Sequence, residues 1–174
     1  WGWGGILAAC LLAGCGGGPE KIAITEAHFF PHAPDLPRMQ YVCTFNGSAD
    51  FAPRNRLLDY LAGTEETIQY EIVKPFSVAA QKGRIYVTDS FGARGLAVFD
   101  LAERRFYLLG VTPGPGQLRK PINVFADADG FTYVSDTVRR QVVVYGPNDD
   151  FVRVYGDGRA FKPIACAAHG DLVF

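Results

Sequence analysis

Lys74-Pro75-Phe76-Ser77-Val78, Lys120-Pro121-Ile122-Asn123-Val124 and Lys162-Pro163-Ile164-Ala165-Cys166 are one phrase written three times, 46 and then 42 residues apart. A period of that size is the length of one small antiparallel sheet, the unit that repeats around a β-propeller. After each Lys-Pro the pattern runs apolar strand, Gly-containing turn, second apolar strand, Asp, a loop with Arg, and a third strand. In the first copy these are Gln81-Lys82-Gly83, strand 84–88, Asp89, Arg94 and strand 96–99. In the second they are Asp127-Ala128-Asp129-Gly130, strand 131–135, Asp136, Arg140 and strand 141–145. β-Branched and aromatic residues fill these runs, Gly, Pro, Asn and Asp close them, and no stretch of helical length carries an apolar stripe. The fold class is therefore all-β. Runs such as Val142-Val143-Val144-Tyr145 are apolar on both faces, as a sheet sandwiched between two neighbours requires. Pro75, Pro121 and Pro163 each stand at the first residue of a strand, where the missing N–H costs no ladder bond.

Tyr86-Val87-Thr88-Asp89-Ser90 and Tyr133-Val134-Ser135-Asp136-Thr137, each followed by Arg and a Val-rich strand, resemble NHL repeats over roughly residues 74–174. More narrowly, Pro37-Arg38-Met39-Gln40-Tyr41-Val42 with Gly47-Ser48-Ala49-Asp50 is similar to the opening of a group of bacterial six-bladed propeller lipoproteins of unassigned biochemical role. The resemblance implies a ring of six four-stranded antiparallel blades. The third copy stops at Phe174, short of the Asp that the other two carry, so an N-terminal fragment with two to three blades is expected.

Ile6-Leu7-Ala8-Ala9-Cys10-Leu11-Leu12-Ala13-Gly14-Cys15 reads as a secretory apolar core with small residues at its end. Leu12-Ala13-Gly14-Cys15 resembles the lipobox of bacterial lipoproteins, which implies lipid attachment at Cys15. Leu7-Ala8-Ala9-Cys10 fits the same motif, but the apolar run would then continue past the cleavage point, so Cys15 is preferred. Two or three acyl chains anchor a protein durably without spanning the bilayer. By resemblance to lipoprotein sorting, Gly16 after the Cys favours the outer membrane, with the protein facing the periplasm. The organisation read from sequence is a signal segment over 1–15, a flexible Gly- and Pro-rich tether over 16–38, and an incomplete propeller over 39–174 with repeats starting near 74, 120 and 162.

The balance of 17 basic and 18 acidic side chains, net −1, leaves no basic stripe for nucleic acid. Asp89 and Asp136 recur at strand ends, which points to carboxylates accepting backbone N–H bonds from the following loop rather than to catalysis. Arg94 and Arg140, also repeated, are expected to pair with carboxylates or carbonyls of an adjacent loop. Asp127-Ala128-Asp129-Gly130 lacks the remaining ligands of a calcium loop and reads as a hairpin turn. His28 and His32 fall in the tether and His169 in a turn, with no metal-ligand spacing among them. Cys43 and Cys166 are placed in strands of different blades as small hydrophobes. Pro113-Gly114-Pro115-Gly116-Gln117 reads as a linker between blades.

No nucleophile, base and orienting group assemble from the chain, and no catalytic residue, metal or cofactor is expected. The functional reading is a membrane-anchored cell-envelope scaffold whose ring face binds a protein, peptide or glycan. The alternative is a metal-dependent propeller hydrolase or lyase of lactonase type, for which Ser77, Asn123 and Ala165 on the first strands are a poor ligand set. A redox accessory is disfavoured because the C-x-x-C-H haem pattern is absent.

Overall fold

The computed structural model describes residues 28–51, 69–92, 94–170 and 172–174. Two compact units divide the chain after Thr44. In the first, β1 (His28–Phe30) pairs antiparallel with β2 (Met39–Tyr41), all six residues exposed. This hairpin falls at the end of the segment 16–38 that the sequence reads as a tether: the apolar His28-Phe29-Phe30 run finds a strand partner across a Pro-rich connection. His28 lies in that hairpin, its ring 6.3 Å from that of Tyr41.

The second unit begins at Phe45 and is built from two four-stranded antiparallel sheets. The first contains β3 (Pro75–Gln81), β4 (Arg84–Asp89), β5 (Leu96–Asp100) and β6 (Arg105–Leu109), paired in chain order. The second contains β7 (Pro121–Ala126), β8 (Thr132–Asp136), β9 (Gln141–Tyr145) and β10 (Phe151–Tyr155) in the same order. Pro75 and Pro121 open their sheets, each opposite the Asp that closes the second strand, with a one-residue bulge beside the pair. Lys82 and Gly83 turn the first hairpin at φ 49° and 78°, the left-handed pair that a two-residue β-turn needs.

Period-two alternation assigns the faces. In the first sheet Tyr86, Leu96 and Val98 face the second sheet and join Val124, Val134, Val143 and Tyr145 in one core. Val87, Ala97 and Phe99 face the other way, under Phe45, Phe51, Tyr70 and Ile72. In the second sheet Val134, Val143 and Tyr145, the repeat equivalents of Val87, Ala97 and Phe99, face back toward the first. Tyr133, Val142 and Val144 face onward, to Cys166, Ala168 and Val173. The two sheets are stacked head to tail, each presenting the same face forward.

The third copy is a short hairpin, β11 (Ala168–His169) with β12 (Leu172–Val173), flanked by reciprocal N–H to O bonds between Ala167 and Phe174. The ladder runs out there, so Pro163 and Cys166 are buried but not in a strand. Cys43 also lies outside the strands, and His169 is the last residue of β11 rather than a turn residue. These are corrections to the sequence reading: without a residue opposite them, Pro163 and Cys166 keep the burial of a first strand but not its ladder, and Ile164 and Ala165 between them are exposed.

The Gly47-Ser48-Ala49-Asp50 motif is a clamp on residues 70–72. Ser48 N–H donates to Tyr70 O at 2.8 Å, Tyr70 N–H to Ser48 Oγ at 2.8 Å, and Ile72 N–H to Asn46 O at 2.8 Å. A Cβ on Gly47 would stand 2.0 Å from the Tyr70 carbonyl oxygen, so only glycine permits this approach.

Candidate functional site

Three groups of polar side chains recur or gather on this scaffold. The first is the pair of strand-end aspartates, each fully buried. Asp89 accepts the backbone N–H groups of Val73, Lys74, Phe91 and Gly92 at 2.9–3.3 Å, together with the Tyr70 hydroxyl at 2.9 Å. Asp136 accepts those of Arg119, Lys120, Val138 and Arg139, the same four places one repeat later. Each carboxylate ties the segment entering its sheet to the loop leaving the second strand. Burial pushes the Asp89 carboxyl upward, but its N–H and O–H donors together outweigh burial and hold it below the ordinary range. A carboxylate saturated by fixed donors has no lone pair aimed at a substrate.

Arg94 and Arg140 share a second repeated trait that sequence did not disclose. Both sit in the left-handed region, at φ 54° and 56°, Arg94 two residues and Arg140 one residue ahead of the third strand. Arg140 donates from Nη1 to the Arg159 carbonyl at 3.0 Å, whereas Arg94 is exposed. The arginine that holds an inter-sheet connection is Arg139. Its guanidinium donates to the carbonyls of Pro115 and Gln117 and to Gln141 Oε1. With the Tyr145 hydroxyl donating to Gly116 O, Arg139 pins the 113–117 segment down, so this linker is fastened at three carbonyls. Gly110, where the connection leaves β6, has φ 77°, and a Cβ there would lie 2.5 Å from the Tyr145 hydroxyl oxygen.

The second group lies where the hairpin turns of both sheets meet. Arg84 Nε is 3.1 Å from Asp100 Oδ2, and Arg84 Nη1 reaches Asp149 Oδ2 at 3.5 Å and Pro147 O at 3.2 Å. The Tyr107 hydroxyl donates to Asp149 Oδ2 at 2.6 Å, and Lys82 Nζ to Asp129 O at 3.0 Å. Burial, then the Asp149 carboxylate, push the Tyr107 phenol well above its usual range, so it remains a donor. A cavity of about 170 Å³ opens beside them, lined by Gln81, Lys82, Arg84, Tyr86, Ala126, Gly130 and Pro147. That is below the roughly 300 Å³ at which pockets begin to enclose drug-sized molecules. Arg84 and Lys82 are both committed to oxygens of the second sheet or of Asp100, so the cluster joins the sheets.

The third group is a clasp along the first strands. Ser77 Oγ accepts Asn123 Nδ2–H at 3.1 Å and the Val124 N–H at 3.3 Å. Asn123 Oδ1 in turn accepts the Cys166 N–H at 3.0 Å. The rule repeats: the side-chain oxygen two residues after the Pro takes the N–H of the residue three after the Pro of the next copy. In sequence, position 77 reads only as a poor metal ligand; its polarity in two of three copies is the signal that points to the clasp.

Cys43 and Cys166 are both free. Burial pushes the Cys166 thiol up, and it is directed at Asn123 Oδ1 and Tyr133 O, each at 3.4 Å, which makes it inert. Asp127 Oδ1 accepts the N–H groups of Gly130 and Phe131 at 2.8 Å, closing the turn that the calcium-like motif resembles. Among the described residues no three of His, Cys, Asp and Glu gather where a metal ion could be held. Cys15 lies outside the described residues. No protein-family model matches the chain, and no curated protein matches it.

Proposed function

We propose that the chain is part of an NHL-like six-bladed β-propeller, carried on a lipid anchor at Cys15 in the cell envelope, at the outer membrane facing the periplasm. In this reading it is a non-catalytic scaffold that binds a protein, peptide or glycan on the face formed by its loops. The observation that carries it is the fate of the recurrent polar residues. Asp89, Asp136, Ser77 and Asn123 are each consumed by hydrogen bonds within or between the stacked sheets, and each occupies the same place in its repeat. A fold whose repeated polar positions are spent on holding equal units in equal relation is built to present a surface. Head-to-tail stacking of equivalent faces is also the relation that neighbouring blades bear to one another around an axis.

The reading is tested in cells. Expressed with its leader in a diderm bacterium, the wild-type protein is expected in the outer-membrane fraction and labelled by a palmitate analogue. Cys15→Ser is expected in the soluble fraction without label. Label retained by the Cys15→Ser protein would overturn the anchor, and stoichiometric metal in the purified protein would turn the reading toward the hydrolase class.

A further inference from the structure

Exposure on this scaffold is of two kinds. On β3, Val78 is 66% exposed where its equivalent Val124 on β7 is 4%, so its exposure reflects which neighbouring sheet is present. Other positions stay exposed even in a sheet covered on both sides. In the second repeat Lys120, Val138 and Arg140 are exposed although core residues cover both of its faces. Their equivalents Lys74, Phe91 and Arg94 are exposed as well, Phe91 at 69% against 54% for Val138. Each repeat therefore turns one apolar tip and two cations out of the stack.

One buried carboxylate places the Lys beside the tip. Asp89 accepts the N–H groups of Lys74 and Phe91 at 3.2 and 3.0 Å, and Asp136 those of Lys120 and Val138 at 2.9 and 3.0 Å. Lys74 Nζ stands 5.1 Å from the Phe91 ring centroid. These positions share the end at which β3 and β7 start and β4 and β8 finish. The two repeats meet there, with Ser90 Oγ donating to Pro121 O at 2.9 Å. Arg119 and, in the third copy, Lys162 add exposed cations to this end, against the exposed carboxylates of Glu71 and Asp157 in its connecting segments. Every ion pair among the described residues lies at the opposite end, where Arg84 meets Asp100 and Asp149 and Arg105 meets Asp100. The cations of the strand-entry end have no carboxylate within ion-pair distance among the described residues.

We propose that this strand-entry face rests on an anionic lipid surface. The repeated tip keeps apolarity but not shape, being Phe in one copy and Val in the next. A pocket for a defined ligand needs the shape, and a platform for stacked bases needs a ring in each copy. A bilayer interface accepts any apolar tip flanked by cations. Equal units set around an axis bring equal tips to one face, and a membrane is the partner that meets a whole face at once. Each Lys or Arg brought to an anionic surface raises partitioning about fivefold, and salt screens the attraction. Such contact alone is reversible, so it orients a protein that acyl chains retain and turns the hairpin-turn face away from lipid. The inference uses the propeller architecture of the proposed function, and neither its anchor nor its ligand.

The test is cosedimentation of the full chain, carrying Cys15→Ser so that no acyl chain contributes. Vesicles of equal parts phosphatidylglycerol and phosphatidylcholine are compared with phosphatidylcholine alone. Partitioning onto the anionic vesicles is expected to be at least about tenfold stronger and to fall with added salt. Lys120→Gln is expected to weaken it about fivefold and Phe91→Ser about tenfold, with the thermal midpoint unchanged because both side chains are exposed. Arg153→Ala removes a cation exposed in the middle of β10 and is expected to leave partitioning unchanged. Equal partitioning onto both vesicles, wild-type partitioning in Lys120→Gln or in Phe91→Ser, or as large a loss in Arg153→Ala would each overturn the proposal. So would capture of poly-glutamate or oligouridylate by a chain that leaves anionic vesicles unbound, which would assign the face to an acidic peptide or to nucleic acid. None of these outcomes bears on whether Cys15 is acylated in cells.

Discussion

The first sheet and the second are the same device read twice, and they differ in which of their sides has a neighbour. Tyr86 and Tyr133, Val87 and Val134, Phe99 and Tyr145 occupy matched places and turn to matched sides. The second sheet is buried on both faces along its first strand; the first sheet is buried on one. Burial in such a stack is set by the adjacent copy rather than by the residue, so an apolar strand residue is a core residue only where the next unit arrives.

The sheets differ also at their turn end. Asp100, which accepts the Glu103 N–H and pairs with Arg84, has Gly146 as its counterpart in the second repeat. A charged network therefore sits on one side of a junction that is otherwise repeated.

The equivalence is broken most severely at the strand-end carboxylates. Asp136→Ala removes one acceptor from four backbone donors, each costing about 1–3 kcal/mol if left unpaired in the interior. A loss of at least about 3 kcal/mol is expected in denaturant unfolding, with Asp89→Ala behaving likewise. A loss under about 1 kcal/mol at both positions would mean that water replaces the carboxylate.

A smaller effect separates the two first strands. Val124→Ala deletes methyl groups from the shared core and is expected to cost about 2 kcal/mol. Val78→Ala, the same substitution on the bare strand, is expected to cost less than about 0.5 kcal/mol. Equal costs would show that the two strands are covered alike in solution.

The mildest effect is in acid. The Glu103 N–H above all, and then Arg84 and Arg105, hold the Asp100 carboxyl below its ordinary value of 3.8, and Asp89 is lowered by its own donors. A depressed native pKa contributes stability above the unfolded value that is lost as pH falls through the native one. The thermal midpoint is therefore expected to drop below about pH 4, with a shallower slope in Asp100→Asn. An unchanged slope would assign the acid response to other carboxylates.

The strands are legible in sequence because their determinants are local: alternation, β-branched content, a Gly turn and a Pro at a ladder end all lie within one repeat. The carboxylate role of Asp89 and Asp136 can be argued from recurrence alone, since a group needed in every copy serves the copy. What sequence does not yield depends on partners distant in the chain. Recurrence points to Arg140 rather than Arg139 because the repeated column is the left-handed backbone position, while the bonds to the 113–117 carbonyls depend on which neighbour happens to be near. Phe45, Phe51, Tyr70 and Ile72 carry no periodic signal and gain meaning only from the sheet face they cover. The hairpin of β1 and β2 is hidden by its prolines, which read as flexibility and act as a turn.

Asn123 has two unlike ends. Its amide nitrogen donates to Ser77 of the earlier sheet, and its oxygen accepts from Cys166 of the later segment. A residue that gives in one direction and receives in the other gives the stack a direction. Turning one sheet over would take the Asn123 oxygen away from the backbone N–H that it accepts, whereas the Ser or Asn oxygen of either unit can take the N–H of the next. The clasp thus fixes which face each sheet turns to its neighbour, and the connections between sheets set their order.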